Sequence, residues 1–399
     1  MLEFADPRAF PAAAGGHAAA VVADAEASLA AAQSAVRDAH DRRIDAALAA
    51  ALADDSAMHM PADAVRYAPD SDVSPTRAAA SSCALAAILA AAPPGAVYRH
   101  LWRRLGVVAA APWPIADHLA LRLFAVPLVI VVAGERDGDT CASVLRDPAA
   151  AEDLLRRHAA LGADVHFALA GALVPAHAID VAALPRLRRD AIAAASASTP
   201  QPLALAAPPM AIDRQESVHL RFLVGTAFCA PASPPLTIPS IGDWATPLAQ
   251  VLSRALAVPG ASILVLPRTP APLPQALAEG RIAQREVSAQ VFVSNALRRM
   301  RASIGEPTAI VSAHRLDDGG GELRVSLSSP FSPRDAEGFR CALLPFERVG
   351  DAAAMLEDLL RDCRVGDVRV EPGVHADRDR ATGLTLLFKP AQQEARRPD

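Results

Sequence analysis

The densest gathering of side chains able to do chemistry is His375-Ala-Asp377-Arg-Asp379, near the end of the 399 residues. In extended chain successive side chains alternate, so residues 375, 377 and 379 would face one side together. They would offer an imidazole and two carboxylates to a divalent cation. A second histidine, His314, closes the strand-like run Thr308–His314, and Ser326, Ser328 and Ser329 fall on or just beyond the strand expected to pair with it. A serine beside a histidine becomes a nucleophile only if a third group orients the base, and Asp317 is too close to His314 in sequence for that. The candidate catalytic set is therefore His314, His375, Asp377 and Asp379. It works only if strand pairing brings position 314 beside position 375, since imidazoles more than about 8 Å apart cannot share a metal with nitrogen bonds of about 2 Å. Metal affinity at such a site would fall as pH drops through about 6.5, where histidine protonates. The opposing reading is plainer. The stretch 371–384 mixes Pro, Gly and charge, which also describes a solvated connection between strands.

Other motifs are weaker. Glu135-Arg-Asp137-Gly-Asp139 follows an apolar strand-like run, where α/β proteins often bind ligands, but position 146 is Arg where a calcium loop needs an acid. Arginines cluster at Arg156-Arg157, Arg186–Arg189 and Arg298–Arg301, each near an expected helix end, where a cation suits the helix dipole. With aromatics at only 4% and a net charge of −5, nucleic acid is not the favoured partner.

Composition excludes more than it suggests. Of the 39 basic residues only Lys389 is lysine, so a GK[ST] phosphate loop and a kinase-type strand lysine are ruled out. No GxGxxG follows a strand and no GxSxG elbow occurs. The five cysteines are dispersed without CxxC spacing, which reads as buried thiols in a reducing compartment. No cofactor is implied. The opening MLEFADPRAF carries Glu3 and Asp6 and no basic stretch, and the longest apolar run, 123–134, is interrupted by Pro127. The expectation is a cytoplasmic chain with no secretory signal and no membrane partner.

These residues have to be positioned by elements, and the pattern predicts an α+β fold of mixed or antiparallel sheets flanked by helices. Residues 1–75 read as an Ala-rich helical segment, with one long helix over 17–53 buried through Val22, Leu29 and Val36 and offering a surface for self-association. Residues 76–198 read as an α/β domain around a central strand at 128–134, which a helix opened by Pro148 and a strand near 165–169 complete as a βαβ-like unit. The uncharged stretch 196–210 is rich in Ser and Pro, and its part 199–210 reads as a linker, 211–390 as an α+β domain and 391–399 as a tail. Glu-Asp-Leu-Leu-Arg occurs at both 152–156 and 357–361, each before a Gly and a strand, which raises the question of an internal duplication.

Three functions are compatible with this sequence. The leading one is a non-catalytic module that binds a protein or a small molecule, because no acid, base and nucleophile are visibly assembled. The alternatives are a small-molecule hydrolase, possible metal assistance included, using the C-terminal histidines and aspartates, and nucleic-acid binding through arginines.

Overall fold

In a computed structural model the described residues are 16–53, 83–135, 137–158, 160–161, 165–196, 202–231, 242–304, 307–316, 320–328 and 336–377. Among them the fold is α+β, with antiparallel and mixed sheets. No helix among the described residues is long and apolar enough to cross a membrane. The chain divides into two compact units, one built from the described residues of 10–92 and 100–284, the other from those of 93–99 and 285–377.

The first unit starts with helices α1 (Gly16–Ala30), α2 (Ser34–Ala53) and α3 (Ala84–Ala91). The expected single helix over 17–53 is broken at residues 31–33 and folds back as an antiparallel pair. Polar cross-links fix that pairing. Ser28, fully buried, donates to Asp41 at 2.6 Å, and Asp24 accepts from His40 at 2.8 Å and from Arg43 at 2.7 Å. This rotation buries Ala18, Val21, Ala25 and Ser28 and leaves Leu29 and Val36 44% and 43% exposed, so the predicted seam lies mostly outside the core. The stripe Ile44, Leu48 and Leu52 is buried as its spacing of four demands. Helix α4 (Ala96–Ala110), which the sequence reading did not single out, brings His100 and Arg104 onto Asp41 and Asp45.

The sheet of this unit is antiparallel, in the order β1 (Trp113–Ala116), β2 (Leu119–Gly134), β6 (Ser217–Cys229), β4 (His166–Pro175). Strands β7 (Ala261–Pro267) and β8 (Ala271–Pro272) also pair with β2, while β3 (Asp139–Cys141) and β5 (Met210–Ile212) form a short separate ladder. The apolar run at 128–134 is the second half of β2, and burial is continuous from Ala120 through Ile130. Pro127 is tolerated in the middle of this strand because the neighbour changes there, from β8 opposite Phe124 and Ala125 to β7 starting opposite Leu128. Helix α5 (Pro148–Arg157) starts where Asp147 accepts the Ala150 N–H at 3.2 Å and leads back to β4. The βαβ-like unit is thus present but split: β6 lies between β2 and β4 and runs antiparallel to both. Because β6 follows the 199–210 stretch and completes a sheet begun before it, that stretch does not separate two sheets. Helices α6 (Leu184–Ser196), α7 (Gly242–Leu256) and α8 (Leu273–Ile304) follow, and the division between the units falls inside α8, after Gln284. One apolar cluster packs α5 and α7 on the sheet through Phe124, Ile130, Leu154, Leu223, Trp244 and Leu248.

The second unit carries the expected hairpin, β9 (Thr308–Arg315) and β10 (Gly321–Ser328), with β11 (Ala336–Ala342) beyond β10. Helix α9 (Val349–Asp362) then crosses to β12 (Asp367–Ala376), which lies parallel to β9. The odd-numbered residues of β9 and β10 (Ala309, Val311, Ala313, Leu323, Val325, Leu327) pack against α8 and α9. The even-numbered ones form the opposite face, and that face is polar.

Candidate functional site

The period-two rule sorts Ser312, His314, Glu322 and Arg324 onto that polar face, and register brings them together. His314 stands opposite Glu322, and Ser312 opposite Arg324. The third contributor is β12. Its pairing shifts between Val370 and Val374, with Gly373 at φ 89°, and it resumes at Val374 beside Ala313, which puts His375 beside His314. His375 is therefore on a strand, where the sequence reading allowed a solvated loop. The two imidazoles lie 5.7 Å apart, ring centre to ring centre. Asp377 follows directly. Asp379, Asp317, Ser329 and Lys389 fall outside the described residues. Ser326 and Ser328 sit further along β10, with Ser328 beside Thr308 rather than beside a histidine.

His314 is fully buried, and each of its ring nitrogens has a partner. Nδ1 lies 3.2 Å from the Ala376 carbonyl, which can only accept, so Nδ1 carries the proton. Nε2 of the neutral ring then accepts from the Ser312 hydroxyl at 2.9 Å. Burial, reinforced by Arg324 and His375, holds His314 below the ordinary histidine pKa, against the opposing pull of the Ala376 carbonyl and Glu322. Serine to imidazole to an orienting acceptor is the sequence of contacts that activates a nucleophile. Ser312 was missed at the sequence level, although its spacing of two from His314 on a strand is the signal that would have found it.

The acids of the cluster are committed elsewhere. Arg324, buried itself, donates through Nε to Glu322, through Nη2 to the Asp377 carboxylate, and through Nη1 to the Asp377 carbonyl at 3.3 Å. Arg340 adds a longer approach to Glu322 at 3.9 Å. A carboxylate locked to a guanidinium is a poor metal ligand, and among the described residues no three His, Cys, Asp or Glu side chains gather so as to hold a metal ion.

A second Ser-x-His pair sits in the first unit, on β6, with its polarity reversed. His219 Nε2 lies 3.1 Å from the Ala211 carbonyl and 3.0 Å from Ser217 Oγ, while Ser217 donates to Val132 O at 3.4 Å. There Nε2 is the donor, and the serine is not activated. The arginine clusters are likewise engaged locally: Arg156 with Asp153 and over Phe167 at 5.3 Å, Arg188 over Trp113 at 5.3 Å, and Arg299 with Glu337. The more open feature is a groove of about 920 Å³ in the first unit, where α7 runs beside β7. Small and apolar residues line it, Arg254 and Arg268 are its charged groups, and no carboxylate is among its lining. No family model, curated protein or solved structure matches this chain.

Proposed function

We propose that this chain works by binding, as a non-catalytic module making protein contacts, and not by turning over a substrate. The observation that supports this reading is the burial of its best acid–base pair. Ser312 and His314 lie on a covered sheet face with their polar atoms spent on each other and on the Ala376 carbonyl, and the nearby acids are spent on Arg324. A nucleophile has to meet its substrate in a concave, accessible site. The same cluster reads well as a hydrogen-bonded lining, because buried polar groups must be paired within the fold.

A second reading, a small-molecule hydrolase, is favoured by one feature, the direction of the Ser312 hydroxyl toward the acceptor nitrogen Nε2 of His314. One experiment separates the two. The folded full-length chain is incubated with a fluorophosphonate, which phosphorylates serines activated by a neighbouring base, and digested for mass spectrometry. The binding reading expects no adduct on Ser312. A stoichiometric adduct on Ser312 that disappears in His314→Gln would establish the hydrolase instead.

A further inference from the structure

Among the described residues β7 pairs with β2 and with no other strand, which leaves it an edge of the first unit's sheet. Its ladder is bracketed by Arg268 N–H to Pro127 O at 2.8 Å and Glu135 N–H to Gly260 O at 3.1 Å. Even-numbered residues therefore bond to β2, and the backbone N–H and C=O groups of Ile263 and Val265 face away from the sheet. The strand reads Ala-Ser-Ile-Leu-Val-Leu-Pro, without the charge or bulge that usually blocks an edge, and Leu264 is 54% exposed. An apolar edge of this kind needs a constant cover, and a cover always present in equal amount is another copy of the same chain.

The geometry points to a two-fold dimer. We propose that β7 pairs antiparallel with β7 of a second copy about an axis through Leu264, with α7 packed on α7 of that copy about Ala249. The two centres coincide along the element. From the 257–260 connection, Ala249 is about 10 Å back along the helix and Leu264 about 10 Å along the strand. The helix residues lining the groove are Ala245, Thr246, Ala249 and Ser253, with Gln250 and Arg254 beside them, and the small row Ala245, Ala249 and Ser253 at spacing four lets two helices approach to the usual 8–10 Å. Charge is self-complementary about the same axis. An antiparallel α7 pair centred on Ala249 brings Arg254 opposite Asp243 of the second copy, and both are charged residues of the same helix. Paired strands bring Arg268, at the end of β7, beside Gly260 of the second copy. The Glu135 carboxylate lies against that glycine, 3.4 Å from where a Cβ would stand. An isologous interface makes each of these pairs twice.

This names a partner for the protein-contact reading above and rests on it. Sedimentation velocity of the full-length chain decides it. The wild type is expected at twice 41.5 kDa. Leu264→Asp should give a monomer with unchanged circular dichroism, since that side chain is 54% exposed in the single chain, and with a melting temperature that no longer rises with protein concentration as the wild type's does. Asp243→Arg and Arg254→Asp should each weaken the dimer about tenfold, two symmetry-related pairs each contributing a few-fold, and combining them should restore it to within about twofold. The charge-swap rescue keeps the test decisive if Leu264→Asp does not fold. A wild type that stays monomeric at the highest attainable concentration overturns the proposal. So does a double swap without rescue, or a dimer that ignores Leu264→Asp and is lost in Leu29→Asp. A Ser312 adduct would sink the non-catalytic reading and leave the dimer result unaffected.

Discussion

Arg324 carries the largest single electrostatic load of the cluster, because it holds both Glu322 and Asp377 away from water. Arg324→Met should cost about 3–5 kcal/mol in urea unfolding, since it leaves two covered carboxylates without their cation. Adding Glu322→Gln and Asp377→Asn to that variant should recover part of the loss, which a purely steric defect would not do. His314 gives the cluster a pH signature. Its folded pKa is depressed, so below about 6.5 the unfolded chain takes up a proton that the folded chain refuses. Stability should be full above that pH and fall as pH drops from there toward the folded value. Urea midpoints between pH 7.5 and 5 in wild type and His314→Asn, a range set around the usual histidine pKa, read this directly. Equal slopes in the two proteins would show that His314 contributes nothing to the pH dependence. Asp24 and Asp41 act lower on the scale. Asp24 is lowered chiefly by Arg43, and Asp41 by Ser28 and His100 against the cost of burial, so their contribution is present above about 3.9 and is lost as pH falls through the lower folded values.

At the scale of elements, the α1–α2 pair shows how polar cross-links can override an apolar repeat. Leu29 lies outside the buried stripe, so Leu29→Asp should change stability by no more than about 0.5 kcal/mol, while Leu48→Ala, fully buried, should cost about 2–5 kcal/mol. Thermal melts of the two variants check this, and a comparable loss in both would return Leu29 to the core. In the sheet, β6 can lie tight against β2 only because position 225 is glycine. A Cβ there would enter the ring of Phe124, which meets Phe167 edge-on at 5.9 Å. Gly225→Ala should therefore cost about 1–3 kcal/mol by overpacking, and Phe124→Leu in the same chain should relieve much of it.

At the scale of the whole molecule, β6 makes the first unit indivisible at the 199–210 stretch. Leu203 is buried, and Ser143 donates to the Pro208 carbonyl at 2.7 Å, so the described part of this stretch, 202–210, is tied to the fold. A fragment ending at residue 198 would expose the facing edges of β2 and β4 and is expected to lack a cooperative thermal transition. Coexpression with the 199–399 fragment should restore one. A cooperative transition in the short fragment by itself would show that β6 is dispensable.

The sequence by itself determined the α+β class, the hairpin of β9 and β10, the buried run of β2 and the start of α5 at Asp147-Pro148. Each of these is written in local period, turn residues or caps, which act over a few neighbouring residues. It also pointed to His314 and His375 as a pair, since a strand end and a polar run are visible locally. Only the tertiary structure decided that the two rings lie side by side, because that follows from the shifted register of a parallel strand that places His375 beside a residue 61 positions earlier in sequence. The tertiary structure likewise decided that Arg324 takes the carboxylates and that Ser312 is the partner of His314. The insertion of β6 between β2 and β4 belongs to the same class of fact. Strand order is chosen by the burial of whole faces, and no window of the sequence contains both strands of such a pair.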